Sequence, residues 1–221
     1  MVMMRSRPLL RLTSSLPLLF LLFALAGSAS HAADLPEAKA ATEYPAHDVH
    51  AKEQVAIAVE PFDTPDKCKV FQADYLKYRF MPFRIIVTNE GDRPVSLKDA
   101  RIYFISATGE RIPAAEPDDI ERRVGQRDSR GRDIPIGPIK IHTKGKDSDS
   151  KIEQDFDRLE YAALAVEPHT TRAGFLFYDM DGLGKRPLRD AKMVFRELRN
   201  ADGQELFYFE VPFNKYLDAK H

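Results

Sequence analysis

The chain has 221 residues, with 33 lysines and arginines against 34 acidic residues and a formal net charge of −1. A charge this close to zero gives no global attraction to nucleic acid, so a nucleic-acid-binding function is not expected. The single cysteine, Cys68, excludes an internal disulfide, so the hydrophobic core must hold the fold together in any compartment.

The N-terminus has the pattern of a secretory signal peptide. Three arginines and no acidic residue precede an apolar run, Leu16–Ala26, which is followed by small residues, Gly27–Ala32. We predict cleavage after Ala32, with Ser30 at the −3 position. An uncleaved anchor is the less favoured alternative, because the apolar run is shorter than the ~20 residues that cross a bilayer. We therefore expect a periplasmic or extracellular protein without a transmembrane anchor after cleavage.

The part after residue 32 has the length of one domain. Residues 33–53 are rich in Ala, Glu and His and show no apolar periodicity, which predicts a flexible leader. Residues 54–213 are predicted to form the folded domain, with an insert at about 114–161. Residues 214–221 are predicted to be a C-terminal tail.

About seven short strands are predicted from alternating or β-branched apolar residues. The clearest is Phe80–Asn89, and turn residues follow it at Asn89–Asp92. The other strand-like runs are Gln54–Phe62, Val95–Leu97, Arg101–Ala107, Leu164–Val166, Ala173–Met180, Ala191–Leu198 and Glu205–Phe213. The alternation places eight apolar residues in the core: Phe83, Ile85, Val87, Phe104, Phe175, Phe177, Phe207 and Phe209.

Helical patterns are few and short. Thr64-Pro65-Asp66 begins a short helix that ends near Phe71. In the insert, Glu116–Val124 can form one helix, and Lys151–Tyr161 has apolar residues at helical spacing. Between them lies a long polar stretch, Gly125–Ser150. Because no helix follows each strand, a parallel α/β sheet is not expected. The pattern predicts an all-β, immunoglobulin-like antiparallel β-sandwich with a short helical, loop-rich insert.

Two segments carry a resemblance to a known type of domain. PFRIIVTNEGDRPVSL, at 82–97, has an extended run that ends in V-x-N, then a Gly/Asp turn, a proline and a second strand. AVEPHTTRAGFLFYD, at 165–179, has a proline-led turn before a strand that begins Gly-Phe. Both resemble immunoglobulin-like domains of bacterial secreted and cell-envelope proteins. The resemblance implies a domain that binds or supports another molecule, and it transfers no functional residue.

Sequence motifs for catalysis are absent. The chain has no G-x-S-x-G, no H-E-x-x-H and no glycine-rich phosphate loop, so no catalytic residue and no cofactor are predicted. Cys68 is predicted either to be a small buried residue or to pair two chains through a disulfide. Enzymatic activity stays open, and a non-catalytic role is favoured.

Two patterns resemble metal sites, but each is incomplete. His47 and His50 have a spacing that can hold zinc on a helix, yet the sequence offers no third or fourth ligand. Asp147–Glu153 begins like a calcium loop, but Lys151 and Ile152 break the pattern. The alternative for that segment is a helix start with Ser150 as the N-cap. We predict no metal site.

A basic stretch lies between residues 121 and 146 and contains three acidic residues against eight basic ones. Such a block can bind an anionic envelope polymer, although the acidic residues that follow it could simply neutralise it. The candidate ligand-binding residues are Arg122, Arg123, Arg127, Arg130, Arg132, Lys140, Lys144 and Lys146.

From these features we expect an exported, non-catalytic binding or structural domain of the bacterial cell envelope. Its partner would be an anionic envelope polymer or another envelope protein. The alternative is an envelope hydrolase or metal-handling protein that uses the insert as its site.

Overall fold

The computed structural model of the protein describes residues 35–130 and 146–220. Within these residues the fold is mostly antiparallel β-sheet with a few helices, as the sequence predicts at that level. The strands are β1 (His47–His50), β2 (Val55–Pro61), β3 (Phe80–Asn89), β4 (Val95–Ser96), β5 (Arg101–Ile105), β6 (Arg111–Pro113), β7 (Ala165–Val166), β8 (Thr170–Asp179), β9 (Lys192–Arg196) and β10 (Phe209–Pro212). The α-helices are α1 (Pro117–Arg130), α2 (Lys146–Leu159) and α3 (Asn214–Asp218).

The strands form two four-stranded sheets and one short pair. The first sheet has the order β1-β2-β3-β8, and the second has the order β10-β9-β5-β6, while β4 pairs with β7. Every neighbouring pair is antiparallel. All ten residues of β3 are buried. The near-continuous apolar composition of β3 therefore reflects a central strand that is covered on both faces of its sheet.

One face of the first sheet packs against the second sheet in an inner core. Phe83, Ile85 and Val87 of β3 belong to this core, and all three are fully buried. Phe83 lies 5.7 Å from Phe104 of β5, measured between ring centroids. Alternate residues of β3 thus provide the contact between the two sheets, as period-two patterning requires.

The other face of the first sheet carries a helix-side core. Phe80, Phe175 and Phe177 lie on this face, and both α1 and α2 cover them. Phe156 of α2 stacks on Phe177 with ring centroids 4.6 Å apart. The side chains that α1 and α2 contribute are Ile120, Val124, Ile152 and Phe156. The helices at the two ends of the predicted insert are therefore a layer of the fold.

A buried carboxylate fastens α2 to the segment before β3. The Asp155 side chain is fully buried, and its oxygens accept hydrogen bonds from the Gln72 and Ala73 amides at 2.9 and 3.0 Å. The Tyr75 hydroxyl also donates to Asp155, at 3.2 Å. Burial raises the pKa of Asp155 above its ordinary value, while these hydrogen bonds act to lower it. Asp155 therefore positions three groups of another segment through one side chain.

The segment predicted as a flexible leader is folded where the structure describes it, which corrects that prediction. Residues Ala41–Glu43 form one turn of 3-10 helix, and β1 pairs with β2. Ala41 is fully buried, and its amide donates to the Thr88 hydroxyl at 2.9 Å. The contact is close because Ala41 meets small alanine side chains on β2. Alanine-rich composition here indicates close packing against a sheet.

The end of the chain differs from its prediction at two points. The last strand is shorter than predicted, and Phe207, predicted to be in the core, is 64% exposed. The pairing of the two strands is interrupted between Leu206, whose amide donates to the Leu198 carbonyl, and Phe209, which pairs with Phe195, and opposite this gap Glu197 has a φ of 63°. The predicted C-terminal tail contains α3, whose Tyr216 is buried. The other seven residues predicted for the core are buried.

Candidate functional site

The basic residues predicted to bind a ligand begin on α1, and two of them contact the end of β8. The guanidinium of Arg123 pairs with Asp179 and lies 3.3 Å from Asp181, and it also lies over the ring of Phe80. Arg127 lies 3.6 Å from Asp181 and donates to the Lys77 carbonyl at 3.2 Å. These arginines therefore fasten α1 to the sheet through opposite charges.

The remaining members of the basic stretch are distributed differently. Arg122 forms an ion pair with Asp119 one turn earlier on α1. Arg130 is the last residue of α1, and Lys146 is the first residue of α2. Arg132, Lys140 and Lys144 lie outside the described residues. Where the structure describes their side chains, the basic residues of the stretch have acidic partners within the protein.

A polar cleft of about 440 Å³ lies beside α1, between that helix, β6 and the end of β8. Arg111, Arg122 and Arg123 line it together with four acidic residues: Glu110, Asp119, Asp179 and Asp181. Because both signs of charge alternate in a small space, the cleft has no single-sign field that would select an anion or a cation.

A pair of exposed aromatic rings lies just before β10, which is at the opposite edge of the second sheet from β6. We call Phe207 and Tyr208 the aromatic surface. Phe207 is 64% exposed and Tyr208 is 41% exposed, and their ring centroids are 4.4 Å apart. The sequence pattern placed Phe207 in the core, so this surface was not predicted.

The aromatic surface is supported from below by β1. The imidazole of His50 stacks on Phe209 at 3.7 Å and lies 6.0 Å from Phe207, measured between ring centroids. Asp48, two residues earlier on β1, accepts a hydrogen bond from the Glu210 amide at 2.9 Å. The edges of the two sheets are thus joined directly under the exposed rings, and this holds the segment in place.

The two metal-like patterns do not assemble a site. His47 and His50 are three residues apart on a strand, so they lie on opposite faces of β1. Asp149–Glu153 is continuous α2 helix, and Ser150 lies inside that helix and accepts a hydrogen bond from Gln154, so it is not an N-cap. In residues 35–130 and 146–220 no group of three or more potential metal ligands occurs.

Cys68 is held in a half-buried position that disfavours its reactive form. Its thiol donates to the Phe62 carbonyl, with a sulfur–oxygen distance of 3.2 Å. Burial, with a smaller effect from Asp74 and Asp63, raises the pKa of Cys68 from 9.0 to about 12. The thiolate is the nucleophile in thiol chemistry, so this environment is the opposite of an activated cysteine.

We expect Cys68 to react slowly with a disulfide reagent in the native protein. The rise of the pKa from 9.0 to about 12 reduces the fraction of thiolate, and the higher nucleophilicity of the remaining thiolate offsets part of that loss. The reaction is therefore expected to be about thirtyfold slower than in the unfolded chain. The measurement is the rate of modification by Ellman's reagent in buffer, with the urea-unfolded protein as the control. Equal rates in both conditions would contradict the burial of this thiol.

In the described part of the chain, no helix combines the length and the apolar character that crossing a membrane requires.

The comparisons with other proteins give no family. No protein-family model matches the chain, and no curated protein has significant sequence similarity to it.

Proposed function

We propose that this protein is an exported, non-catalytic binding domain of the bacterial cell envelope, and that it binds another envelope protein at the aromatic surface. The observation that carries this proposal is the exposure of Phe207 and Tyr208 side by side. Single exposed apolar residues are common on proteins, but neighbouring exposed aromatic rings are typical of protein–protein contact sites. Aromatic residues also account for much of the binding energy at such sites.

The support beneath the rings favours binding as well. His50, Phe209 and the hydrogen bond from Glu210 to Asp48 fix the backbone next to the exposed side chains. A surface that is already ordered loses little conformational entropy when a partner binds, so more of the contact energy contributes to affinity. The aromatic surface is therefore suited to a partner that docks without remodelling it.

The connections between strands support an immunoglobulin-like sandwich as the fold of this domain. The chain passes from β3 in the first sheet to the β5–β6 hairpin in the second, returns to β8, and crosses again to the β9–β10 hairpin. Repeated crossing between two antiparallel sheets is the Greek-key pattern of immunoglobulin-like domains. The order of charged, apolar and small residues at the N-terminus supports export.

The non-catalytic assignment rests on what the candidate reactive groups do. The Cys68 thiol donates a hydrogen bond to the Phe62 carbonyl and has a raised pKa. The buried Asp155 carboxylate is occupied by donors of its own chain. Both groups are engaged in contacts that hold the fold, so they support a structural role for these residues.

The test is retention of envelope proteins by the immobilised mature protein, residues 33–221. A detergent extract of the host envelope is passed over wild type, over the double variant Phe207→Ser/Tyr208→Ser, and over Leu164→Ser. Leu164 is a matched control because it is 66% exposed but lies elsewhere in the chain. Loss of two aromatic anchors is expected to reduce retention of the specific partner at least about tenfold.

The control must behave like wild type for this result to support the proposal. A partner that the Leu164→Ser protein retains and the double variant loses is the expected outcome. If the double variant retains the same proteins as wild type, the aromatic surface is not the binding site.

A further inference from the structure

A second, apolar cleft of about 350 Å³ opens between β5 and the connection from α2 to β7, and neither residue of the aromatic surface lines it. Ala100–Tyr103 line one side, and Tyr161–Leu164, which connects α2 to β7, lines the other. Leu97 and Leu176 contribute side chains that also belong to or pack on the inner core. The volume lies in the lower part of the range for small-molecule sites, about 300–1,000 Å³, and such sites are mostly apolar.

Tyr161 is fixed firmly at the edge of this cleft. Its amide donates to the Phe175 carbonyl of β8 at 3.0 Å. The neighbouring residue on β8 is Gly174, where an added Cβ would lie only 2.5 Å from the Tyr161 Cα. Glycine at 174 therefore permits a close approach that places Tyr161 directly against β8.

The hydroxyl of Tyr161 lacks a hydrogen-bond partner. The oxygen is buried, and no residue among those described accepts or donates a hydrogen bond to it. A buried hydroxyl without a partner is unfavourable, and such groups call for an explanation. Burial raises the pKa of Tyr161, whereas the positive charge of Arg172 acts to lower it.

The lining of the cleft also indicates which charge a ligand would carry. The one charged residue among those that line the cleft in the described structure is a cation, Arg101, which also pairs with Glu197 at 3.0 Å. The hydroxyl donor without a partner favours a ligand that carries a hydrogen-bond acceptor, and a lining without acidic residues is compatible with an acceptor that is negatively charged.

We propose that this cleft binds a small amphipathic carboxylate, such as a medium-chain fatty acid, with its chain among Leu97, Leu164 and Leu176 and its carboxylate accepting a hydrogen bond from Tyr161. Leu164, 66% exposed, forms part of the entrance. Because the hydroxyl is covered in the free protein, binding requires a rotation of the Tyr161 side chain or a small movement of residues 162–164, while the Tyr161 backbone stays against β8. The site is independent of the aromatic surface, so either proposal can fail without the other.

The test is calorimetric titration of the mature protein with decanoate and with decyltrimethylammonium, each below its micelle concentration. These probes have the same chain length, but only decanoate can accept the hydrogen bond. We expect decanoate to bind at one site and the cationic probe to bind at least about fivefold more weakly. Tyr161→Phe should weaken decanoate binding about five- to tenfold, because the variant removes only the hydroxyl.

Two further variants separate this site from adventitious contacts. Ala163→Phe should abolish binding because the larger side chain fills the cleft, and Tyr208→Phe should leave it unchanged because Tyr208 lies on the aromatic surface. The unfolding midpoint of each variant shows that it is folded. Absence of decanoate binding, equal affinity in wild type and Tyr161→Phe, or undiminished binding in a folded Ala163→Phe protein would each overturn the proposal.

Discussion

Replacing Asp155 with alanine is expected to lower the free energy of unfolding by about 3 kcal/mol or more, since removing one member of a buried charged network leaves its partners unsatisfied. The carboxylate accepts from the Gln72 and Ala73 amides and from the Tyr75 hydroxyl, and these donors have limited access to water. The same change separates α2 from the segment that leads into β3, so the effect is expected on the whole domain.

Urea unfolding followed by circular dichroism measures this loss, with Asp157→Ala as the matched control. Asp157 lies on the same helix but is exposed, so its removal should change the free energy of unfolding by less than about 0.5 kcal/mol. Similar midpoints for Asp155→Ala and Asp157→Ala would show that Asp155 is not the fastening point of α2.

The contribution of the Asp155 carboxylate to the free energy of unfolding is expected to depend on pH. Its folded-state pKa is raised above the ordinary value of 3.8, so the unfolded chain releases this proton at a lower pH than the folded protein. The stabilisation linked to this proton is therefore present at low pH and is lost as the pH rises through the folded-state pKa. The difference in unfolding free energy between wild type and Asp155→Ala should decrease from acidic towards neutral pH.

Phe209→Ala is expected to cost about 3–5 kcal/mol, the usual range for removing a fully buried phenylalanine ring. Phe209 is fully buried in the inner core and also stacks on His50. Phe207 lies two residues earlier and is 64% exposed, so Phe207→Ala should change the free energy of unfolding by less than about 0.5 kcal/mol.

The comparison of these two variants tests the interrupted alternation before β10. Denaturant unfolding of both proteins gives the two free energies under the same conditions. A large loss for Phe207→Ala would mean that the ring is buried and that the strand continues regularly through residue 207, in which case the aromatic surface does not exist.

Local sequence patterns predicted most of the strands because the side chains of a strand return to the same face every second residue. Phe80–Asn89 was predicted with its full range, since its apolar and β-branched residues need no distant information. Asn89 was likewise predicted from local sequence, as a turn residue. Its side chain accepts a hydrogen bond from the Gly91 amide at 3.0 Å and donates one to the Val166 carbonyl at 3.0 Å. Turn residues of this kind are visible in sequence.

Features that depend on distant residues were not predictable from one sequence. The partners of Arg123 are Asp179 and Asp181, at and just after the end of β8, so a local count of charges could not identify them. Phe207 fits the period-two pattern, but β10 begins only at Phe209, so the pattern does not extend to residue 207. In the same way, the alanines near residue 41 become informative only next to the alanines of β2.

The position of β3 has a consequence for the order in which the protein can fold. Its two neighbours are β2, which precedes it, and β8, which is synthesised much later. A chain that emerges from its N-terminus can form the β2–β3 pair early, but the other edge of a ten-residue apolar strand stays open until residue 179 is available. Such an edge is prone to pair with other chains, and distant pairing slows folding. Completion of the domain therefore depends on the last third of the chain, and truncated forms that end before β8 should aggregate.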